Sequence, residues 1–395
     1  MPGALEGLKV IDLSRVLGGP YCAQMLADHG ADVIKVEPPQ GDETRLWGPP
    51  FDAEGISAYY AGINRNKRTI ALDLAKPDGR TVLLKLLEDA DVLIENFKTG
   101  TMEKWGLGYG ELAKKLPRLI HARVSGFGAD GPLGGFPGYD AMVQASAGLV
   151  SVNGSAESGP VRIGVPVVDL STGMNATIGI MMALYERDRT GLGRWVHTSL
   201  LEAQVHMLDF QAARWLMDGE VAGQAGNDHP TGIPMGTFPT SDGHINLAAS
   251  AGRLWKQMCE AMGHSEWTDV EKWKTGGGRS EDRATLNATI SQVTRTQPSS
   301  YWMDTLEAAG IPCGPIYTVD QVFADPQVKH LNIAAPTTHP QRGATALINS
   351  PLNLSDVPKG IRHVAPPAGE QTDEVLRSVG YTDAELASMR AKGII

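Results

Sequence analysis

Asp169 is the acidic residue whose surroundings best suit chemistry. It ends the apolar run Val165-Pro-Val-Val168 and precedes a long apolar stretch that reads as a helix, so its carboxylate is expected at a strand end against a positive helix terminus. Two readings stand side by side. An aspartate in that place can cap the helix by accepting its free N–H groups; facing a cleft, it can attack an activated carbonyl whose leaving group is better than a carboxylate. A second feature, Gly18-Gly19-Pro20, follows the apolar run Leu8-Lys-Val-Ile-Asp-Leu-Ser14 and opens a helix over 21–27. That places it at the carboxyl edge of a first strand, where open α/β sheets bind ligands, although the same residues also make an ordinary tight turn. The basic cluster Asn64-Arg-Asn-Lys-Arg68 can neutralise a phosphate or form a solvated turn.

Several other chemistries are excluded by what the motifs lack. Gly126-Phe-Gly-Ala-Asp-Gly131 has dinucleotide-fingerprint spacing, but proline and glycine follow it instead of a helix, and no acid stands near Val150 to bind a ribose. There is no Gly-Lys dipeptide for a phosphate loop, no His-Glu-x-x-His zinc helix and no G-x-S-x-G elbow, and the ten histidines are scattered, so no metal is expected. The formal net charge of -10 argues against nucleic acid and against a polybasic membrane surface. Cys22, Cys259 and Cys313 form no C-x-x-C pair, which suits a reduced, cytoplasmic protein. The first residues carry no basic, apolar leader, and the apolar stretch 178–184 falls short of the ~20 residues of a membrane span, so no membrane partner is expected.

These residues are positioned by an alternating pattern. Short β-branched runs at Asp32-Val-Ile-Lys-Val-Glu37, Thr69-Ile-Ala-Leu-Asp-Leu74, Asp91-Val-Leu-Ile-Glu95 and Leu119-Ile-His-Ala-Arg-Val124, with a further strand-like run over 194–198, are separated by helical stretches such as 77–89. That reads as βαβ units in a parallel sheet with helices on both faces. The 395 residues, at ~150 per domain, allow two or three domains. We assign 1–218 to a large Rossmann-like domain, 219–325 to a small α+β domain with linkers, built on a hairpin at Asp242-Gly243, and 326–395 to a segment returning to the large one. A returning strand is expected over 343–354 and capped helices over 372–379 and 382–392.

The chain resembles the class III CoA-transferase family, which includes formyl-CoA transferase and carnitine CoA-transferase. The resemblance rests on Leu5-Glu-Gly-Leu-Lys-Val-Ile-Asp-Leu13, Gly30-Ala-Asp-Val-Ile-Lys-Val-Glu37, Asn64-Arg-Asn-Lys-Arg-Thr-Ile-Ala-Leu-Asp73, Asp91-Val-Leu-Ile-Glu-Asn-Phe97, Pro137-Gly-Tyr-Asp140, Asp169-Leu-Ser-Thr-Gly173, Gly310-Ile-Pro-Cys-Gly-Pro315 and Gly369-Glu-Gln-Thr-Asp-Glu-Val-Leu376. It implies a Rossmann-like large domain made from both chain ends, a smaller domain between them, and an interlocked homodimer. It further implies that Asp169 is the nucleophile, with an acyl-CoA donor, a carboxylate acceptor, coenzyme A thioester as substrate and no tightly bound cofactor. The implied CoA contacts are Val16, Leu17, Gly18, Leu72, Asn96, Phe97, Lys104 and Tyr139. Lys104 stands where relatives have arginine, which keeps the charge and loses the bidentate fork. Leu17 and Pro38 stand where formyl-CoA transferase has glutamine and arginine, and Gly232-Ile-Pro-Met-Gly236 replaces its tetraglycine loop, departures that point away from oxalate and formyl-CoA. Two other functions remain: an α-methylacyl-CoA racemase, whose His-Asp pair is here Tyr139-Asp140, a poor proton acceptor, or a catalytically silent CoA-binding protein.

Overall fold

The computed structural model describes residues 3–51, 55, 57–339, 343–357 and 359–395. The alternating pattern forms one parallel sheet from β1 (Lys9–Asp12), β2 (Asp32–Glu37), β3 (Lys67–Ala71), β4 (Val92–Glu95), β5 (Ile120–Ser125) and β6 (Trp195–Ser199), in the spatial order β3-β2-β1-β4-β5-β6. Every neighbouring pair is parallel. The chain works outward from β1 through β2 to β3 and then returns to lay β4 on the other side of β1. That reversal leaves a crevice beyond the carboxyl ends of β1 and β4, where an open α/β sheet takes its ligand.

Strand alternation divides the core into two layers. Val10, Val33, Val92 and Ile94 face Cys22, Ala23 and Leu26 of α1 (Gly18–Asp28) and Ala176, Ile180 and Ala183 of a 24-residue helix, Val167–Thr190. Ile11, Ile34 and Leu93 face the opposite way, onto α2 (Pro77–Leu87) and onto Val375, Leu376 and Leu386 of the C-terminal helices Thr372–Ser378 and Asp383–Ala391. The C-terminal segment is fastened to β3: Gln371 N–H donates to Thr69 O at 3.0 Å and Thr69 N–H to Gln371 Oε1 at 2.8 Å.

The chain forms two compact units: Met1–Gly148 with Ile163–Ala212 and Pro326–Ile395, and Leu149–Arg162 with Ala213–Asp325. Leu149–Arg162 therefore groups with the second unit, although it lies inside the interval 1–218 read as part of the large domain. Within that second unit β7 (Met235–Pro239) and β8 (His244–Ala248) form the hairpin at Asp242-Gly243, closed by Thr240 N–H donating to Gly243 O at 2.9 Å, and β9 (Cys313–Pro315) pairs with β8. Its core gathers Trp255, Trp267, Trp273 and Trp302. Buried Arg279 donates to three carbonyls there, those of Ile233, Trp273 and Ser250, satisfying backbone that would otherwise be orphaned.

One expectation is corrected and another refined. The run Val165-Pro-Val-Val168 is not a strand: a tight turn, with Val167 N–H on Val165 O at 2.8 Å, leads straight into the helix that starts at Val167, and Pro166, lacking an N–H, suits that entrance. The strand expected over 343–354 is present as Gly343–Ile348, shorter than read, and pairs antiparallel with Ala334–His339 in a two-stranded sheet of its own.

Numbering Asp140–Ser146 as α3 and Val167–Thr190 as α4, the contact that sets the site is the crossing of α1 and α4. A Cβ on Gly173 would stand 2.6 Å from Gly18 O and 3.0 Å from Tyr21 Cδ1. Only a glycine lets the two backbones approach so closely. Gly173→Val should therefore push the helices apart and lower the unfolding free energy by about 1–3 kcal/mol, read from urea denaturation; wild-type stability in that variant would show that the crossing is loose.

Candidate active site

A cleft of about 230 Å³ is lined by residues that directly follow the inner strands: Arg15, Val16, Leu17 and Gly18 after β1, Asn96, Phe97, Lys98 and Thr99 after β4, and Ser125 and Gly126 at the end of β5. Pro137, Gly138, Tyr139 and Asp169 close it. The turn after β1 is held in an unusual shape. Val16 sits at φ 66, a left-handed conformation that costs a β-branched residue about 1–3 kcal/mol. Asn96 sustains it: Arg15 N–H donates to Asn96 Oδ1 at 2.8 Å while Asn96 Nδ2 donates to Arg15 O at 2.7 Å. The Arg15 guanidinium lies 5.7 Å from the centroid of the Phe97 ring, so the floor of the cleft carries an aromatic face beside a cation.

Asp169 is the third residue of α4, inside its first turn. The capping duty falls to Asp140 instead, the buried first residue of α3. Its Oδ2 accepts Val168 N–H at 2.9 Å and Asp169 N–H at 3.3 Å, while Oδ1 accepts from Gln144 Nε2 at 2.6 Å. With those amides met by a neighbouring helix, the Asp169 carboxylate is left to face the cleft beside Gly18. Burial and then the nearby Asp140 push its pKa up to about 7, and a hydrogen bond from the Gly18 amide partly offsets them. Tyr59 is close enough that, after its own burial, the charges of Asp169, Asp42 and Asp140 hold its phenol well above the usual range.

Of the residues singled out from sequence, Val16, Leu17, Gly18, Asn96, Phe97, Tyr139 and Asp169 meet around this one cleft. Leu72 and Lys104 are not among its lining residues: Leu72 is 1 % exposed within the core under the sheet, and Lys104 ends the short helix Thr101–Lys104 on its exposed side. The cluster at 64–68 is not a solvated turn: residues 64–67 are buried and only Arg68 is half-buried. Arg65 pairs with Asp28, Lys67 with Asp12 and Arg68 with Asp32, so this stretch is spent on internal ion pairs. Gly126 packs on the backbone of Gly138, where a Cβ would meet Gly138 N at 2.5 Å; the fingerprint spacing reflects that close approach in a loop.

Sequence reasoning missed Arg15, Glu43, Lys98, Thr99, Ser125 and Phe136 in the lining, Tyr59 near Asp169, and the capping role of Asp140. Arg15, Lys98 and Ser125 could have been found by taking whatever residue ends or follows each central strand. Glu43 and Tyr59 come from an irregular segment and a short helix, where no periodicity marks a facing direction. Among the described residues no group of three or more His, Cys, Asp or Glu side chains could hold a metal ion.

Sheet order and cleft together define a doubly wound α/β protein with its ligand site at the switch point. The chain belongs to CoA-transferase family III, which it matches over residues 5–372. It is 35% identical to a succinyl-CoA:glutarate CoA-transferase of Homo sapiens, over 99% of this chain and 90% of that protein. It is 36% identical to a succinate–glutarate CoA-transferase of Agrobacterium fabrum, over 94% of each, and 36% identical to a succinyl-CoA:mesaconate CoA-transferase of Haloarcula marismortui, over 96% of this chain and 97% of that one. A crystal structure of a CAIB/BAIF family protein from Brucella suis superposes with a TM-score of 0.85 at 36% identity, over 96% of this chain and all (100%) of the other. The protein is thus an enzyme of this class, and its substrates are CoA thioesters.

An acid whose folded-state pKa is raised opposes folding once the unfolded chain ionises. With Asp169 lifted from 3.8 to about 7, the protein loses stability as pH rises from 3.8 to about 7 and no further above it. Asp169→Asn should therefore melt at a higher temperature than wild type at pH 8, with the gap closing toward pH 4. Equal melting temperatures at pH 8 would mean that the carboxylate is well solvated.

Proposed function

We propose that this enzyme transfers coenzyme A from an acyl-CoA thioester to a free carboxylic acid through a covalent intermediate on Asp169. The observation that carries the reading is a carboxylate facing the switch-point cleft, relieved of helix capping by Asp140 and desolvated enough to be a strong nucleophile once ionised. Asp169 Oδ attacks the thioester carbonyl carbon, the C–S bond breaks and CoA leaves as thiolate, giving a mixed anhydride. The thiolate attacks the aspartyl carbonyl, forming an aspartyl-CoA thioester and releasing the donor acid. The acceptor carboxylate attacks that thioester and expels the thiolate. Attack of the thiolate on the acceptor's acyl carbon then yields the new acyl-CoA and restores Asp169. Each step exchanges a carboxylate with a thiolate, so no outside proton or oxidant is needed.

The relatives' names support succinyl-CoA as donor and a dicarboxylic acid as acceptor. Val16, Leu17, Gly18, Phe97 and Tyr139 are then the CoA-contacting residues of the cleft, with the Phe97 and Arg15 end suited to an adenine and its phosphates. A homodimer is supported by α4, which buries one side against the sheet and α1 yet exposes Met174, Ile178, Met181, Met182 and Tyr185 along the other. That is an apolar stripe at helical spacing which a second copy would cover. Sedimentation equilibrium should give about twice the 42.2 kDa chain mass; a single-chain mass overturns the dimer.

Incubation with succinyl-CoA followed by borohydride should reduce an aspartyl thioester and leave a modified peptide containing Asp169, seen by mass spectrometry before any acceptor is added. Turnover should follow ping-pong kinetics, and kcat/KM should rise with pH through an apparent pKa of about 7. Asp169→Asn should lose at least about 1,000-fold in kcat; a folded variant that keeps its turnover removes the mechanism.

A further inference from the structure

We propose that Lys67 is a positioning residue for the nucleophile: its ammonium ties the end of β1 to the first turn of α1 and so holds the Gly18 amide against the Asp169 carboxylate. The proposal rests on Asp169 being the nucleophile. All three ammonium protons are committed, to Asp12 Oδ2 at 2.9 Å, Pro20 O at 2.8 Å and Asn64 Oδ1 at 2.9 Å. At the other end of the same turn, Lys35 Nζ donates to Ser14 O at 2.8 Å and pairs with Asp42 at 3.0 Å, while Asp12 Oδ1 accepts Ser14 N–H at 3.0 Å. Two lysines from neighbouring strands thus pin residues 14 and 20, with Gly18 between them. The turn is tight as well: a Cβ on Gly19 would lie 2.4 Å from Ser14 Cβ.

Stability does not explain this arrangement. The Lys67 and Asp12 side chains are both fully shielded from solvent, and a buried ion pair is commonly no more stabilising than apolar residues of the same volume. What the pair supplies is a fixed geometry, through an ammonium that donates along three directions at once to a strand end, a helix turn and Asn64. The groups facing it are Asp12, Lys35, Asp42 and the buried Cys22 thiol, and burial draws its pKa down to about 8. Those facing Asp169 are Asp140 and Tyr59, with the Gly18 amide alone among the named contacts favouring the carboxylate. Loosening the turn therefore removes stabilisation of the ionised nucleophile, and its pKa must rise.

The test uses the double variant Asp12→Asn/Lys67→Met, which removes both charges, keeps the Asn oxygen for Ser14 and frees Pro20 O. The comparison is Asp28→Asn/Arg65→Met, another buried pair, at the far end of α1. Infrared difference titration follows the carboxyl band that Asp169→Asn abolishes, and needs no substrate. The midpoint should move up by about 0.5–1 pH unit in the first variant and stay in place in the second. With succinyl-CoA and glutarate, the acid limb of kcat/KM should move with it. A folded Asp12→Asn/Lys67→Met protein that titrates like wild type overturns the proposal, as does an equal shift in the comparison variant. Should the first variant fail to fold, Asp12→Asn/Lys67→Gln, which likewise removes both charges and takes the ammonium away from Pro20 O, replaces it with the same expected and overturning results. Failure of the nucleophile reading looks different: Asp169→Asn would keep its turnover while the infrared shift still appeared.

Discussion

The site depends on how closely α1 and α4 cross. Gly173 brings the α4 backbone onto Gly18 O, and Gly18 in turn lies against the Asp169 side chain. The close approach that brings the first turn of one helix against the first turn of the other depends on Gly173, where a Cβ would stand 2.6 Å from Gly18 O. The parallel sheet beneath supplies the rest, since α1 follows β1 directly and α4 packs on the same face through Ala176 and Ile180. The fold thereby converts a packing constraint into a chemical one: two positive helix termini, one cleft, and one carboxylate between them.

For the proposed mechanism that carboxylate has to be dry enough to be reactive and yet still ionise near neutral pH. Burial and the neighbouring Asp140 push against ionisation, while the Gly18 amide favours it. Asp140 plays two parts in this balance. By accepting the Val168 and Asp169 amides it releases Asp169 from the capping that an aspartate at a helix start ordinarily performs, and by its own charge it keeps the released group from ionising too early. A thioester is a better match for such a nucleophile than an ester or amide, because thiolate leaves more readily than alkoxide or amine and no general acid has to protonate it.

Much of the scaffold was legible because βαβ units announce themselves by period: β-branched runs, amphipathic stretches and glycine stops located all six strands of the parallel sheet to within a few residues. The run 165–168 misled because valines favour strands wherever they stand, whereas Pro166 and the turn at Val165 decide the outcome locally. In the cleft, residues that end or follow strands were within reach of sequence reasoning. The role of Asp140 was not, since it depends on two amides 28 and 29 residues away, and no local pattern encodes such a contact. The cluster at 64–68 shows the same limit: its charges look like a surface, and only the fold reveals that Asp12, Asp28 and Asp32 meet them.

The geometry also bears on proton exchange at the α-carbon as an alternative chemistry. A base for that reaction needs a free lone pair directed at the substrate. Tyr139 does reach the cleft, but a phenol is a weak acceptor at neutral pH, and the oxygens of Asp140 already take hydrogen bonds from Gln144 and from two main-chain amides. Using Asp140 as a base would mean withdrawing it from the start of α4, which would unseat the residue that the cleft is built around. Asp169, facing the same space with only the Gly18 amide to share, carries no such conflict. The attacking carboxylate of the proposed mechanism therefore asks nothing of this arrangement that would uncap α4.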